Sequence, residues 1–307
     1  SQNCLKKNGL TARIYLACFC LTILILKGTQ SLSLKKCLSQ QRFMIFEGSG
    51  ANGKTVVNTV LRQILGESNV SAVSLEMFDP KRTFPLAGMI GKLANIVEEI
   101  GENIHAAEGL LKTIVSGNII TIERKFGAPF EGKPTTRLTF ATNHLPIIRD
   151  RTSSVWRRMM YVPFNQVIAE KNQKKELIEG IWWQKSGELS GIFNWALEGL
   201  VRLKRRGRFA EPAVCRRYKR EYRQESNPAE SFIKVHCSFA KGEQVSCNLL
   251  FTAYRNYEEQ IGNKPLSAAQ FVKEVKKVFP QVERTANAIS IDGRRRDRVW
   301  LGIKVNL

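Results

Sequence analysis

The chain has 307 residues, 43% of them hydrophobic and 24% charged, with 22 Gly and 10 Pro. That composition excludes wholesale disorder, a collagen repeat and a coiled coil, and the length suits one large domain or a core with a small companion. Lys and Arg number 48 against 27 Asp and Glu, a net charge of +21, which points to a polyanionic partner, nucleic acid ahead of a membrane surface. The excess is uneven. Residues 1–42 carry seven bases and no acid, residues 43–200 come to +2, and residues 201–307 come to +12. A nearly neutral globular middle is flanked by basic ends, and the C-terminal end is the expected reader of nucleic acid. The seven cysteines, Cys4, Cys18, Cys20, Cys37, Cys215, Cys237 and Cys247, are odd in number and form no CxxC pair, and no His stands at metal-ligand spacing to them. Neither a disulfide framework nor a zinc site is supported, and reduced thiols in a cytosol are the plain reading.

Tyr15 to Leu26, YLACFCLTILIL, follows Lys6, Lys7 and Arg13 and has the outline of a signal peptide. It is short for a transmembrane helix, and Lys27-Gly28-Thr29-Gln30 rather than a small-residue cleavage site comes next. A buried helix, or sequence foreign to the domain such as a mis-started reading frame, are the other readings of this atypical basic extension, residues 1–42. No membrane association is expected.

Phe43-Met44-Ile45-Phe46 is a short apolar run suited to a buried parallel strand. Gly48-Ser49-Gly50-Ala51-Asn52-Gly53-Lys54-Thr55 follows after one residue and fits GxxxxGK[ST]. Apolar residues at Val56, Val57, Val60, Leu61 and Leu65 then predict a helix, with Gly66 at its end. The order suits a phosphate cradle. Glycines let successive N–H groups point inward, the helix N-terminus adds partial positive charge, Lys54 reaches the β and γ phosphates, and Thr55 offers its hydroxyl to Mg²⁺.

Ala94 to Val97 reads as a second strand with Glu98 and Glu99 at its tip, where ligands of α/β sheets bind. One carboxylate to hold Mg²⁺ and one to orient the attacking water is what an NTPase needs; the first turn of a helix, which also favours acids, is the structural alternative. Leu138 to Ala141 reads as a third strand ending at Asn143, whose amide suits a γ-phosphate sensor or an ordinary Asx turn. Arg157 and Arg158 precede the strand Met159 to Phe164 and suit an arginine finger or a solvated pair.

Taken in order, FEGSGANGKT, NIVEE, LLKTIVSGNIITIERKFGAPF, LTFATNHLP and WRRMMYVPF resemble the superfamily 3 helicase domain of phage and plasmid primase–helicases, the group that includes the poxvirus-type primase–helicase. The resemblance covers about residues 43–205. It implies an α/β fold: a P-loop, AAA+-like ATPase core with a small C-terminal winged-helix-like domain. It implies an ATP- and Mg²⁺-dependent DNA helicase of phage or plasmid replication that works in the cytoplasm of a bacterial host; a nucleotide-switched DNA-binding protein without unwinding, or an inactive prophage remnant, is the alternative. Such an enzyme assembles as a homo-oligomeric ring, typically a hexamer, and translocates on single-stranded DNA at forks with 3′ to 5′ polarity. By the same resemblance, residues 48–55 hold the nucleotide, Thr55 and Glu99 the metal, Glu99 is the leading carboxylate over Glu98, Asn143 is the sensor, and Arg157 or Arg158 is the finger. A hairpin between the acidic motif and Asn143 enters the pore in this group. Arg124-Lys125-Phe126-Gly127 is its candidate tip, assisted by Lys112, with Phe126 either a base stacker or core. Two departures stand out. Gly117-Asn118 replaces the usual Gly-Asp, and residues 1–42 look neither like the helical lead-in nor like a primase, so priming belongs to another chain or to a missing upstream region.

Beyond the core, Leu200 to Arg208 and Arg216 to Arg223 are basic runs either side of Glu211-Pro212, read as a basic linker and helix over residues 206–235. In 236–307, helical patterns at Thr252 to Tyr257 and Leu266 to Phe279 precede an alternating stretch from Ala288 to Leu301 with Asp292-Gly293 as turn. Helix, helix and hairpin is the order of a winged helix, with Arg294, Arg295 and Arg296 on the wing; an α+β cap between ring subunits is the alternative.

Overall fold

The computed structural model describes residues 40–101, 107–146, 148, 153–260, 265–289 and 296–306. The chain forms two compact units that meet at Arg220/Glu221. The basic extension lies almost wholly outside the described residues, as does the wing turn with Arg294 and Arg295.

The first unit is built on strand β1 (Phe43–Glu47), helix α1 (Lys54–Leu65), and strands β2 (Val70–Ser71) and β3 (Ala94–Val97). It continues through α2 (Glu108–Val115), β4 (Ile120–Arg124), β5 (Gly127–Gly132), β6 (Arg137–Thr142), α3 (Ser153–Arg158) and β7 (Met159–Pro163). Helices α4 (Gly180–Ser186), α5 (Glu188–Arg206) and α6 (Ala213–Glu225) follow, the last crossing the boundary. Five strands make one parallel sheet in the order β2-β3-β6-β1-β7. The four apolar residues of β1 are buried because the strand is central and covered on both faces. Met44 and Phe46 pack with Leu61 and Leu65 of α1, Ile96, Ala141 and Met160 on one face. Gly66, at φ +80, stops α1 by returning its N–H to the Arg62 carbonyl at 2.8 Å.

Two local features bear on the site. First, α2 closes with Gly117 at φ +67, the Asn118 N–H bonding the Thr113 carbonyl at 3.1 Å and the Gly117 N–H that of Ile114 at 2.9 Å. This double closure uses glycine's left-handed backbone and only the main chain of residue 118. Asn in place of Asp therefore leaves the turn intact. Second, β4 and β5 pair only with each other, as an antiparallel hairpin.

The second unit contains α7 (Pro228–His236), β8 (Cys237–Ser246), α8 (Cys247–Gln260), α9 (Ala268–Val278), β9 (Glu283–Ile289) and β10 (Arg296–Val305). Its antiparallel sheet has the order β8-β10-β9. The expected helix at 252–257 lies within α8, and the one expected over 266–279 forms as α9 between the caps Ser267 and Phe279. Asn227 caps α7 and Ser267 caps α9, the latter in a reciprocal capping box with Gln270. Phe232, Leu250, Tyr254, Phe271, Val275, Trp300 and Ile303 form the core. Tyr254 and Phe271 stack with ring centroids 4.4 Å apart.

Candidate nucleotide site and DNA-facing elements

The sheet delivers the site residues to one edge. β1 and β6 run side by side with Glu47 level with Thr142, so Gly48 and Asn143 leave the sheet together. On the far side of β6, Val97 pairs with Phe140, and Glu98 and Glu99 leave the same edge. Because β6 lies between β1 and β3, Asn143 comes out between the phosphate loop and the acids.

The loop is fastened at several points. The Gly48 N–H bonds the Thr142 carbonyl at 3.3 Å, Asn52 Nδ2 donates to the Phe164 carbonyl at 3.0 Å, and the Ile168 N–H reaches the Ala51 carbonyl at 2.8 Å. A Cβ at Gly48 would fall 2.4 Å from the Phe164 carbonyl oxygen, so only glycine fits there. Gly50, Ala51 and Gly53 all adopt positive φ (+112, +46 and +91), the tight curl of a cradle. Lys54 opens α1 and is 8% exposed. Its ammonium donates to the Gly48 carbonyl and, at 3.0 Å, to Asn143 Oδ1. Burial pushes its pKa down, while the carboxylates of Glu47 and Glu99 push it back up. The glycine-rich loop, the Asn143 amide and the acidic tip are thus coupled around one cation.

The two acids differ. Glu98 lies 3.6 Å from Arg62 Nε, and Arg62 also donates to the Ile96 carbonyl at 2.7 Å. Glu99 is exposed at the edge, within electrostatic reach of Lys54. The arginines differ as well. Arg158 is 9% exposed and donates to the Ser154 carbonyl (2.8 Å), Gln41 Oε1 (3.0 Å) and Ser116 Oγ (3.0 Å). Arg157 is exposed, and its carbonyl accepts from Arg42. Both stand at the opposite end of the sheet from the phosphate loop, since Phe43 pairs with Met159 and Glu47 with Pro163.

The expected hairpin tip is the turn between β4 and β5. Phe126 is 98% exposed at φ +63, so it belongs to the surface rather than the core. Arg124 and Lys125 come directly before it, Arg124 over the Phe130 ring at 4.5 Å and Lys125 over Phe126 at 5.6 Å. Lys112 is half-buried on α2, ahead of the hairpin. Arg296 is the first residue of β10. Among the described residues no three His, Cys, Asp or Glu side chains could hold a metal by themselves, and no helix is long and apolar enough to cross a membrane.

Sequence reasoning missed Arg62 and Glu47. Arg62 sits two turns along α1 from Lys54, and its partner Glu98 lies on another strand, so no local pattern marks it. Glu47, which accepts from the Tyr161 hydroxyl at 2.9 Å, reads in sequence as the polar end of a strand.

Residues 46–158 match DUF5906, a family of unknown function, and residues 226–285 match the RFX DNA-binding domain. A "Putative helicase" of Acanthamoeba polyphaga mimivirus is 25% identical over 222 residues, covering 65% of this chain and 23% of that protein. The chain therefore has a helicase-like homologue and spans less than a quarter of that relative's length. Two solved structures are similar to the chain in part. The apo C-terminal region of NrS-1 has 13% identity and a TM-score of 0.47, over 86% of this chain and 67% of that one. A ligand-bound JCV helicase has 15% identity and a TM-score of 0.32, over 73% and 64%. At such scores neither bears on the chemistry.

Proposed function

We propose that this chain is the motor part of an ATP-dependent DNA helicase of the superfamily 3 type. The observation that carries the reading is the Lys54–Asn143 hydrogen bond at 3.0 Å, which ties a fastened phosphate loop to the strand beside the acidic tip. The donor set fits a nucleoside triphosphate with Mg²⁺. The loop offers inward main-chain N–H groups and a buried ammonium, Thr55 an exposed hydroxyl, and Glu99 an exposed carboxylate. When bound, Mg²⁺ neutralises charge on the terminal phosphates.

Within that site Lys54 holds the β and γ phosphates, Glu99 orients the attacking water and accepts its proton, and Asn143 reads whether the γ phosphate is present. Glu98, held by Arg62, shapes the tip. Arg157 is the finger and acts on a neighbouring subunit. It stands about 13 Å of strand away from its own loop, more than its side chain spans. A ring, hexameric in this reading, follows. The β4–β5 hairpins line its pore, with Arg124 and Lys125 on phosphates and Phe126 against bases. The second unit, in the helix–strand–helix–helix–strand–strand order of a winged helix, binds duplex DNA with Arg296 and its neighbours Arg294 and Arg295. Phage or plasmid replication in a bacterial cytoplasm is the setting the reading implies.

The test is ATP hydrolysis by the full chain with and without single-stranded DNA, beside Lys54→Ala, followed by strand separation on a forked duplex. DNA-stimulated turnover that Lys54→Ala abolishes, with unwinding, is the expected result. Turnover without strand separation assigns a nucleotide-switched DNA-binding protein. A folded protein without turnover overturns the motor.

A further inference from the structure

We propose that the end of α5 and the start of α6 form a further DNA-binding surface, in addition to the hairpin tip and the second unit, one that grips the phosphate backbone of duplex DNA without reading bases. From Arg202 to Arg220 the sequence holds nine Lys or Arg and a single acid, Glu211, a net of +8 in a unit whose sheet region is almost neutral. Glu211 does not offset the rest, because its carboxylate is taken by Lys219. Arg205, Arg206 and Arg208 of the first run, and Arg216, Arg217 and Arg220 of the second, are exposed.

Both runs are anchored to one end of the sheet. Gln40, just ahead of β1, donates to the Gly207 carbonyl at 2.9 Å. Lys219 donates to the Met159 carbonyl at 3.3 Å, and Met159 starts β7 beside Phe43, the first residue of β1. Residues from two helices are thereby gathered into one cationic face on a rigid scaffold, at the end away from the phosphate loop.

The kind of DNA follows from what the face lacks. Unpaired bases are held by stacking on exposed rings, whereas a duplex presents a dense, regular row of phosphates and hides its bases. The two rings of this segment are engaged in packing. Tyr218 stacks on Tyr161, centroids 6.1 Å apart and planes 5° from parallel, and its hydroxyl accepts from Asn165 at 2.6 Å. Phe209 packs against the core under α1. Charge without available rings suits duplex, while the hairpin tip, with Phe126 98% exposed directly after Arg124 and Lys125, suits single strands. The inference shares with the proposed function the premise that DNA is the partner, but its test requires no nucleotide turnover.

The experiment is equilibrium binding of the full chain to a blunt DNA duplex and to an oligo-dT strand of equal length, across a salt series. Two variants are compared with the parent: Arg205→Ala/Arg206→Ala/Arg208→Ala and Arg216→Ala/Arg217→Ala/Arg220→Ala. Each is expected to bind duplex at least about tenfold more weakly and to lose about 0.9 from the log–log salt slope per contact removed. Oligo-dT affinity and melting temperature are expected to stay as in the parent. Phe126→Ala is expected to do the reverse, losing oligo-dT and keeping duplex. Unchanged duplex affinity and slope, or equal loss on both DNAs, overturns the proposal. Loss of duplex binding in a protein that never hydrolyses ATP upholds this surface and removes the motor, so the two readings fail separately.

Discussion

Neighbouring residues of one type have separate tasks here, and Arg157 and Arg158 are the plainest case. Arg158 spends its guanidinium inside the unit, joining α3 to Gln41 ahead of β1 and to Ser116 at the end of α2. Removing it leaves three polar partners short of a donor in a partly buried place. Arg158→Ala is therefore expected to cost about 2–4 kcal/mol of stability, read by denaturant unfolding. Arg157 is exposed and its side chain carries no such burden. Arg157→Ala is expected to keep the parent's unfolding midpoint while hydrolysis falls about 10³-fold or more. A stability loss at Arg157 with hydrolysis intact would reverse the two assignments. Glu98 and Glu99 divide in the same manner, one held by Arg62 and one exposed at the end of the sheet within electrostatic reach of Lys54.

Among the elements, the β4–β5 hairpin places its largest apolar side chain in water. Phe126 contributes nothing to packing at 98% exposure, so Phe126→Ala is expected to leave the melting temperature unchanged. Loss of one base stack is worth about 1–3 kcal/mol, so affinity for oligo-dT is expected to fall by roughly 5- to 150-fold. In the second unit, α7 and α9 are clamped by Glu230, which accepts from Lys234 at 2.7 Å and Lys277 at 2.9 Å. Burial alone would raise this carboxyl, but the two ammonium hydrogen bonds outweigh it and hold the pKa at about 2 against an ordinary 4.5. A folded pKa below the unfolded one means the clamp is at full strength above about 4.5 and is lost as pH falls from there toward 2. Amide exchange in α7 and α9 is expected to accelerate over that window. Glu230→Gln is expected to exchange faster at neutral pH and to change little on acidification; a parallel acid response in both proteins would remove Glu230 as the cause.

For the whole molecule, the question is whether one chain completes a site. The sheet sets Arg157 and the phosphate loop at opposite ends, so the finger and the cradle belong to different copies in the proposed ring. Lys54→Ala and Arg157→Ala are each expected to be inactive alone. Mixed, some interfaces combine an intact loop with an intact finger, and hydrolysis is expected to reappear in part. If mixing restores nothing while both variants still assemble, the finger does not act between subunits.

Much of this was legible in the sequence because it is local. Gly48 to Thr55 specifies its own turn, since positive φ at Gly50 and Gly53 and a start for α1 are set by residues adjacent in the chain. Apolar runs marked β1, β3, β6 and β7, and the spacing of Phe271 and Val275 marked α9, because burial imposes its period on the chain directly. The hairpin tip too was visible as a basic turn. What the tertiary structure alone decided concerns partners distant in sequence. Arg62 meets Glu98 only because α1 packs against the sheet near β3. Asn143 meets Lys54 only because β6 lies beside β1. Which arginine is buried, whether Phe126 is surface or core, and that Tyr218 is engaged by Tyr161 depend on how elements pack. The sequence by itself determined the chemistry of the cradle and the sign of the charge; packing over long chain separations decided which side chains remain free to use them.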